Sequence, residues 1–205
     1  SLSTGPFLQD FVGKDYLSGL GSLSLDLNSG GLTVGDLRKS LNGEVGFKLD
    51  KGAVKGFNLA QILRKGQAAL AGNLNYTEDA PKQTDFSAIS ASAVIVNGIL
   101  KSDKLDAASP LFRLIGSGEI NLVNETINYL AKPTIVESSK GEGGAGLDQL
   151  RGLMIPIKLT GSLFSPSYKI DLQEVLKQKA FSKLTGKIDA SKEELKAKED
   201  EAKDK

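Results

Sequence analysis

The sequence predicts a mainly β chain with a few helices (α+β): a long, curved antiparallel meander sheet, with short helices covering one face and the ends. Three observations predict it. Strand phrases recur in which every second side chain is apolar, as in GSLSLDL (Gly21–Leu27), GEVGFKL (Gly43–Leu49), GSGEINL (Gly116–Leu122) and IPIKLTGSL (Ile155–Leu163). A two-residue period puts Leu23, Leu25 and Leu27, or Val45, Phe47 and Leu49, on one side of an extended chain and leaves the other side wet. Tight-turn signals such as Asn97-Gly98 separate neighbouring strand candidates, as antiparallel hairpins require. Helical spacing is confined to short stretches. A sheet with one greasy face must be covered by helices, by another sheet or by a ligand.

Taken in order, Phe7, Leu8, Phe11 and Val12 follow Pro6 at helical spacing and predict a short helix over Pro6–Val12. A strand at Gly19–Leu27 and a Gly-rich turn at Asn28–Leu32 come next. Thr33 caps a helix over Val34–Leu41, with Asp36 in its first turn. Asn42-Gly43 turns into a strand at Glu44–Asp50, and Asp50–Gly52 makes the following turn. The principal helix is Phe57–Leu70, whose Leu59, Ile62, Leu63, Ala69 and Leu70 form the buried side; Gly72–Asp85 is a surface loop.

From Phe86 the meander runs through Phe86–Val96, Ile99–Asp106, Leu111–Leu122, Thr126–Val136, Leu153–Leu163 and a short strand near Tyr168–Ile170. Glu137–Gly146 (ESSKGEGGAG) reads as a mobile stretch. Asp171 caps a helix over Leu172–Leu184, whose stripe of Leu172, Val175, Leu176, Ala180 and Leu184 is suited to capping an end of the sheet. Residues 1–186 therefore form one β-rich domain. Residues 187–205 are a tail in which thirteen of nineteen side chains are charged, with too little apolar surface to fold on itself.

Composition excludes several functions. With 26 basic and 25 acidic side chains the net charge is +1, so no strong field draws in nucleic acid or an anionic surface. There is no Cys, His or Trp, which removes the usual zinc ligands, the thiol nucleophile and the commonest general base. The expectation is a non-enzyme without cofactor or metal. No segment approaches the ~20 consecutive apolar residues that span a bilayer. The chain begins at Ser1 with no signal-peptide pattern, which predicts a fragment whose targeting segment lies upstream.

Three segments carry a resemblance: SLDLNSGGLTVGDLRKSLNGEVGFKLDKGAVKGFNLAQIL (Ser24–Leu63), FSAISASAVIVNGILKSDKLDAASPLFRLIGSGEINL (Phe86–Leu122) and IPIKLTGSLFSPSYKIDL (Ile155–Leu172). Together they resemble the C-terminal region of the AsmA family, large envelope proteins of Gram-negative bacteria. The likeness covers roughly Pro6 to Leu184 and leaves the charged tail outside. It implies a periplasmic domain of a protein anchored in the inner membrane through a segment absent here. It further implies an apolar sheet groove that binds or conducts phospholipid, and a part in lipid transport and outer-membrane assembly.

The candidate groove residues are Leu23, Leu25, Val45, Phe47, Ile89, Ala91, Ala93, Leu114 and Ile120. The bland reading makes the same residues ordinary sheet core under the three helices. What favours the groove is supply, because three short helices are few for some eight strands, and an open apolar face of several hundred Å² marks a binding site. The expected partner is phospholipid or another acyl chain; the rival is a scaffold module that binds another envelope protein. Gly116–Glu119 (GSGE) has no helix behind it and reads as a bulge or a close backbone approach rather than a phosphate cradle. Glu44, Asp50, Asp103 and Asp106 lack a spacing that sets them apart from wet-face charges.

Overall fold

The computed structural model describes residues 2–3, 17–136, 147–182 and 185. A single antiparallel sheet runs in strict chain order, β1 to β9, each strand bonded only to its sequence neighbours. The strands are β1 Leu2–Ser3, β2 Leu17–Asn28, β3 Asn42–Lys55, β4 Gln83–Val96, β5 Ile99–Ala108, β6 Phe112–Asn121, β7 Thr126–Ile135, β8 Ile157–Ser162 and β9 Ser165–Ile170. The expected β-rich meander is the observed fold. The predicted helix at Pro6–Val12, the stretch at Glu137–Gly146 and the charged tail lie outside the described residues.

Among the described residues, two α-helices connect strands and a third follows the sheet. Helix α1 (Val34–Lys39) joins β2 to β3 and starts at a capping box: Asp36 N donates to Thr33 Oγ1 at 3.1 Å, and Thr33 N donates to Asp36 Oδ2 at 3.2 Å. Helix α2 (Leu59–Leu70) joins β3 to β4, with Asn58 Oδ1 accepting from Gln61 N at 3.0 Å. Helix α3 covers residues 172–182, and Asp171 Oδ1 accepts from Glu174 N at 3.1 Å at its start. Since connections alternate between the two ends of a meander, α1 and α2 stand at opposite ends of the sheet.

Several boundaries differ from expectation for local reasons. The turn foreseen at Asp50–Gly52 is absent. Strand β3 runs on to Lys55, absorbing the irregularity with Lys51 at φ 49°. Strand β4 begins at Gln83, inside the expected loop, where Thr84 is buried and serves both ends of the next connection. Its Oγ1 donates to Phe57 O and accepts from Leu59 N, each at 3.0 Å. Leu153–Pro156 join β7 through the Thr134–Met154 bridge and the Ile155 N to Pro133 O bond rather than as a strand, and β8 begins at Ile157.

The core sits at the α2 end. On the sheet, Leu49, Ile89, Ala107 and Leu114 bury one row, and Phe86 meets Phe112 edge-on at 5.7 Å. Leu59 and Leu63 of α2, Leu147, Leu150, Leu153 and Ile155 of the segment before β8, and Val175 of α3 cover it. Helix and sheet approach closely at Gly66, where a Cβ would lie 2.8 Å from the Ile170 side chain.

Candidate functional site

Cross-strand partners in an antiparallel sheet share a face, so the register fixes where each candidate points. Leu23 pairs Phe47, Phe47 pairs Ala91, and Leu25 pairs Val45, which pairs Ala93. Ile89 pairs Ala107 and Ala107 pairs Leu114; Ile95, on the same side of β4 as Ala93, pairs Leu100, which pairs Ile120. All nine candidates therefore stand on one face. A β5 bulge between Ser102 and Leu105 preserves this: one extra residue keeps Leu100, Ser102, Leu105 and Ala107 on that side.

The cover on that face is uneven. At the α2 end Ile89 and Leu114 are buried in the packed core, so for these two the ordinary-core reading is the correct one. Across the middle, Phe47 and Leu105 are half-buried and packed against the core; Ala91 and Ile120 are half-buried as well. Toward the α1 end Ile95 of β4 is still buried, but on β2 the cover stops. Leu23, Leu25 and Leu27 are 41%, 52% and 44% exposed, beside half-buried Val45 and Ala93. Helix α1 buries none of its own residues and does not roof this corner. Beyond the short pairing with β1 at Leu20 and Gly21, no described strand bonds the outer edge of β2.

The depressions in the sheet are lined mainly by the polar residues between the candidates. A hollow of about 480 Å³ is floored by Ser22, Ser24, Gly46, Ser90 and Ser92, with Lys48 and Lys104 on its sides. A second, about 420 Å³, lies among Asp26, Glu44, Lys101 and Lys104, and a third, about 310 Å³, among Asp50, Asp106 and Arg113. The polar lining residues alternate with the candidates and stand on the opposite face, while Leu23, Phe47 and Ala91 of the first hollow, Val45 and Ala93 of the second, and Ile89 and Leu114 of the third lie between them along the same strands. Small side chains between long charged ones make the hollows: Gly46 faces Ser24 on one side and Ser92 on the other. The apolar corner is thus an exposed surface, and the three hollows belong to the wet face.

A family model described as AsmA family matches residues 1–105, half of the chain. The chain belongs to the AsmA family. Protein AsmA of Escherichia coli (strain K12) is 19% identical over 178 residues, which are 87% of this chain and 29% of that protein. The chain thus spans less than a third of that relative's length. No solved structure matches it. Membership agrees with an envelope-related role.

The family match takes in the whole of the open corner, since β2, β3 and β4 fall inside residues 1–105. No helix among the described residues of this AsmA-family chain is long and apolar enough to cross a membrane. Among the described residues no group of three or more Asp and Glu side chains could hold a metal ion. On the polar face Glu44 stands opposite Asp26, whereas Asp50 and Asp106 stand opposite Ala88 and Ser90. The GSGE segment is a close approach, as expected: Gly118 lies against Tyr129, whose hydroxyl donates to Ser102 Oγ at 3.3 Å. Burial pushes the Tyr129 phenol above its ordinary value.

The nine candidates leave out Leu27 and Leu105, which share their face. Leu27 was legible in the Gly21–Leu27 alternation. Leu105 was not, because the bulge moves it onto the side that strict alternation denies it.

Proposed function

We propose that this AsmA-family chain binds phospholipid acyl chains on the open corner of its sheet, as a non-catalytic, periplasmic part of an envelope protein that contributes to lipid movement between membranes and to outer-membrane assembly. The observation that carries the reading is the run of exposed Leu23, Leu25 and Leu27 beside Val45 and Ala93 on a single face. Each acyl methylene laid on such a surface contributes about 0.8 kcal/mol, so a chain of ordinary length offsets its ordering cost. Head groups stay in water at the edge of β2 that no described strand pairs. No covalent step is involved.

The test is to purify the chain from cells, extract it with organic solvent and quantify phospholipid. Stoichiometric lipid that disappears in Leu25→Asp supports the reading; a clean extract from the wild-type chain overturns it.

A second reading rests on the strand edges. Seven residues of β2, 22–28, and the outer side of β9 have no described strand beside them, which suits strand addition by another envelope protein. A scaffold of this kind gives a lipid-free extract and binds its partner unchanged when Leu25 is replaced by Asp.

A further inference from the structure

Residues 29–41, between β2 and β3, form a hook with an unusual division of groups. Several of its polar groups are closed on one another. Ser29 Oγ donates to Leu37 O at 2.6 Å, Gly30 N donates to Ser40 Oγ at 3.0 Å, and Ser40 Oγ donates back to Gly30 O at 2.5 Å. The capping box adds Thr33 and Asp36, and Leu37 N reaches Thr33 O at 3.0 Å. The hook is also seated on the sheet end, through Gly98 N to Leu41 O at 2.9 Å and the Arg38–Glu125 ion pair at 2.7 Å.

Its apolar groups point the other way. Helix α1 has no buried residue; Leu32 is fully exposed, and Val34 and Leu37 are exposed beside it. A six-residue helix has no stability of its own in water, so it is held in this shape by the cap and the Ser40 lock. Hydrocarbon supplies no hydrogen bonds, and an element that enters it must satisfy its own polar groups first. The charges fit a lipid surface too. Asp36, the hook's carboxylate, is hydrogen-bonded to Thr33, and the Lys39 ammonium, whose charge acts on Asp36, makes no hydrogen bond or ion pair among the described residues and can reach phosphate.

We infer that Leu32, Val34 and Leu37 dip into the interfacial layer of a phospholipid bilayer. The α1 end of the sheet is then its membrane-contact end, with Leu27, Leu25 and Leu23 leading away from it along β2. The depth is interfacial, since Asp36 stays charged at the head-group level. This deepens the acyl-binding reading and rests on it for what passes along the strand.

The chain has no cysteine, so Leu32→Cys carries a single environment-sensitive fluorophore. With vesicles of phosphatidylethanolamine and phosphatidylglycerol, that label shifts to the blue and is quenched by nitroxide on the upper acyl carbons. A label at Leu74, exposed at the opposite end of the sheet, does neither. The unlabelled double variant Leu32→Ser, Val34→Ser binds the same vesicles about tenfold less or weaker still. No shift at Leu32, or equal shifts at both positions, overturns the contact. If the Leu32 label is silent while phospholipid still co-purifies with the chain, the hook is wrong and the acyl surface stands. If the label responds and the extract is lipid-free, the hook is a membrane foot and the acyl surface is wrong.

Discussion

Leu25 and Leu49 stand on the same face of adjacent strands, yet Leu49 is 1% exposed and Leu25 is 52% exposed. The difference is their position along the strands: Leu49 lies under the α2 cover and Leu25 lies beyond it. The two leucines therefore answer differently to the same charge. Leu25→Asp changes folding stability by no more than about 0.5 kcal/mol. Leu49→Asp buries an unpaired carboxylate and costs at least about 4 kcal/mol, enough to unfold many domains of this size. Urea unfolding followed by circular dichroism separates them, and equal losses would mean that the corner is packed.

Leu63 of α2 has no exposed surface and packs on the sheet core. Leu63→Ala leaves a cavity in the core that α2 shares with the sheet. It is expected to cost about 2–5 kcal/mol, read as a lower urea midpoint at unchanged slope.

Gly116 and Gly118 both lie beside Tyr129, but for different reasons. A Cβ on Gly116 meets side chains first, Tyr129 Cε1 at 2.8 Å and Leu105 Cδ2 at 3.1 Å. A Cβ on Gly118 meets backbone, Asn128 O at 2.5 Å and Tyr129 Cα at 2.6 Å. Each Gly→Ala change costs about 1–3 kcal/mol. Combining each with Tyr129→Ala gives positive coupling for Gly116→Ala, whose obstacle is removed, and little for Gly118→Ala, measured as a double-mutant cycle.

Glu78 fastens the loop after α2. Its carboxylate accepts from Arg64 Nε and Nη2 at 2.7 and 2.6 Å and from Tyr76 Oη at 3.0 Å. The Arg64 hydrogen bonds hold its carboxyl below the ordinary 4.5. A lowered folded value adds stability that is present above the unfolded value and is lost as the pH falls through the folded one. Stability of the wild-type chain should thus decline below about pH 4.5 more steeply than that of Glu78→Gln, in thermal melts across the acid range.

The faces of this sheet were legible because alternation fixes them once strands are extended: all nine candidates share one side. The Asn97-Gly98 hairpin and the Thr33 cap were legible too, since each depends on one or two residues and their immediate neighbours. What alternation cannot show is which stretch of a face is roofed. Ile89 and Ala93 look alike in sequence, and only the tertiary placement of α2 and of residues 147–155 puts one in the core and leaves the other half-covered. The β3 extension past Gly52 was hidden for a similar reason, because Lys51 adopts a positive φ that a local reading assigns to a turn. Nor does alternation tell which face carries the hollows; those depend on Gly46 and the serines around it.

The acyl-binding corner is tested most directly by placing a photoreactive benzoylphenylalanine at Leu25 or at Ser24, neighbours that point to opposite faces of the exposed strand β2, and identifying by mass spectrometry what each captures in cells. The account predicts phospholipid adducts at position 25 and none at position 24. Equal capture at both positions, or none at position 25, would contradict it.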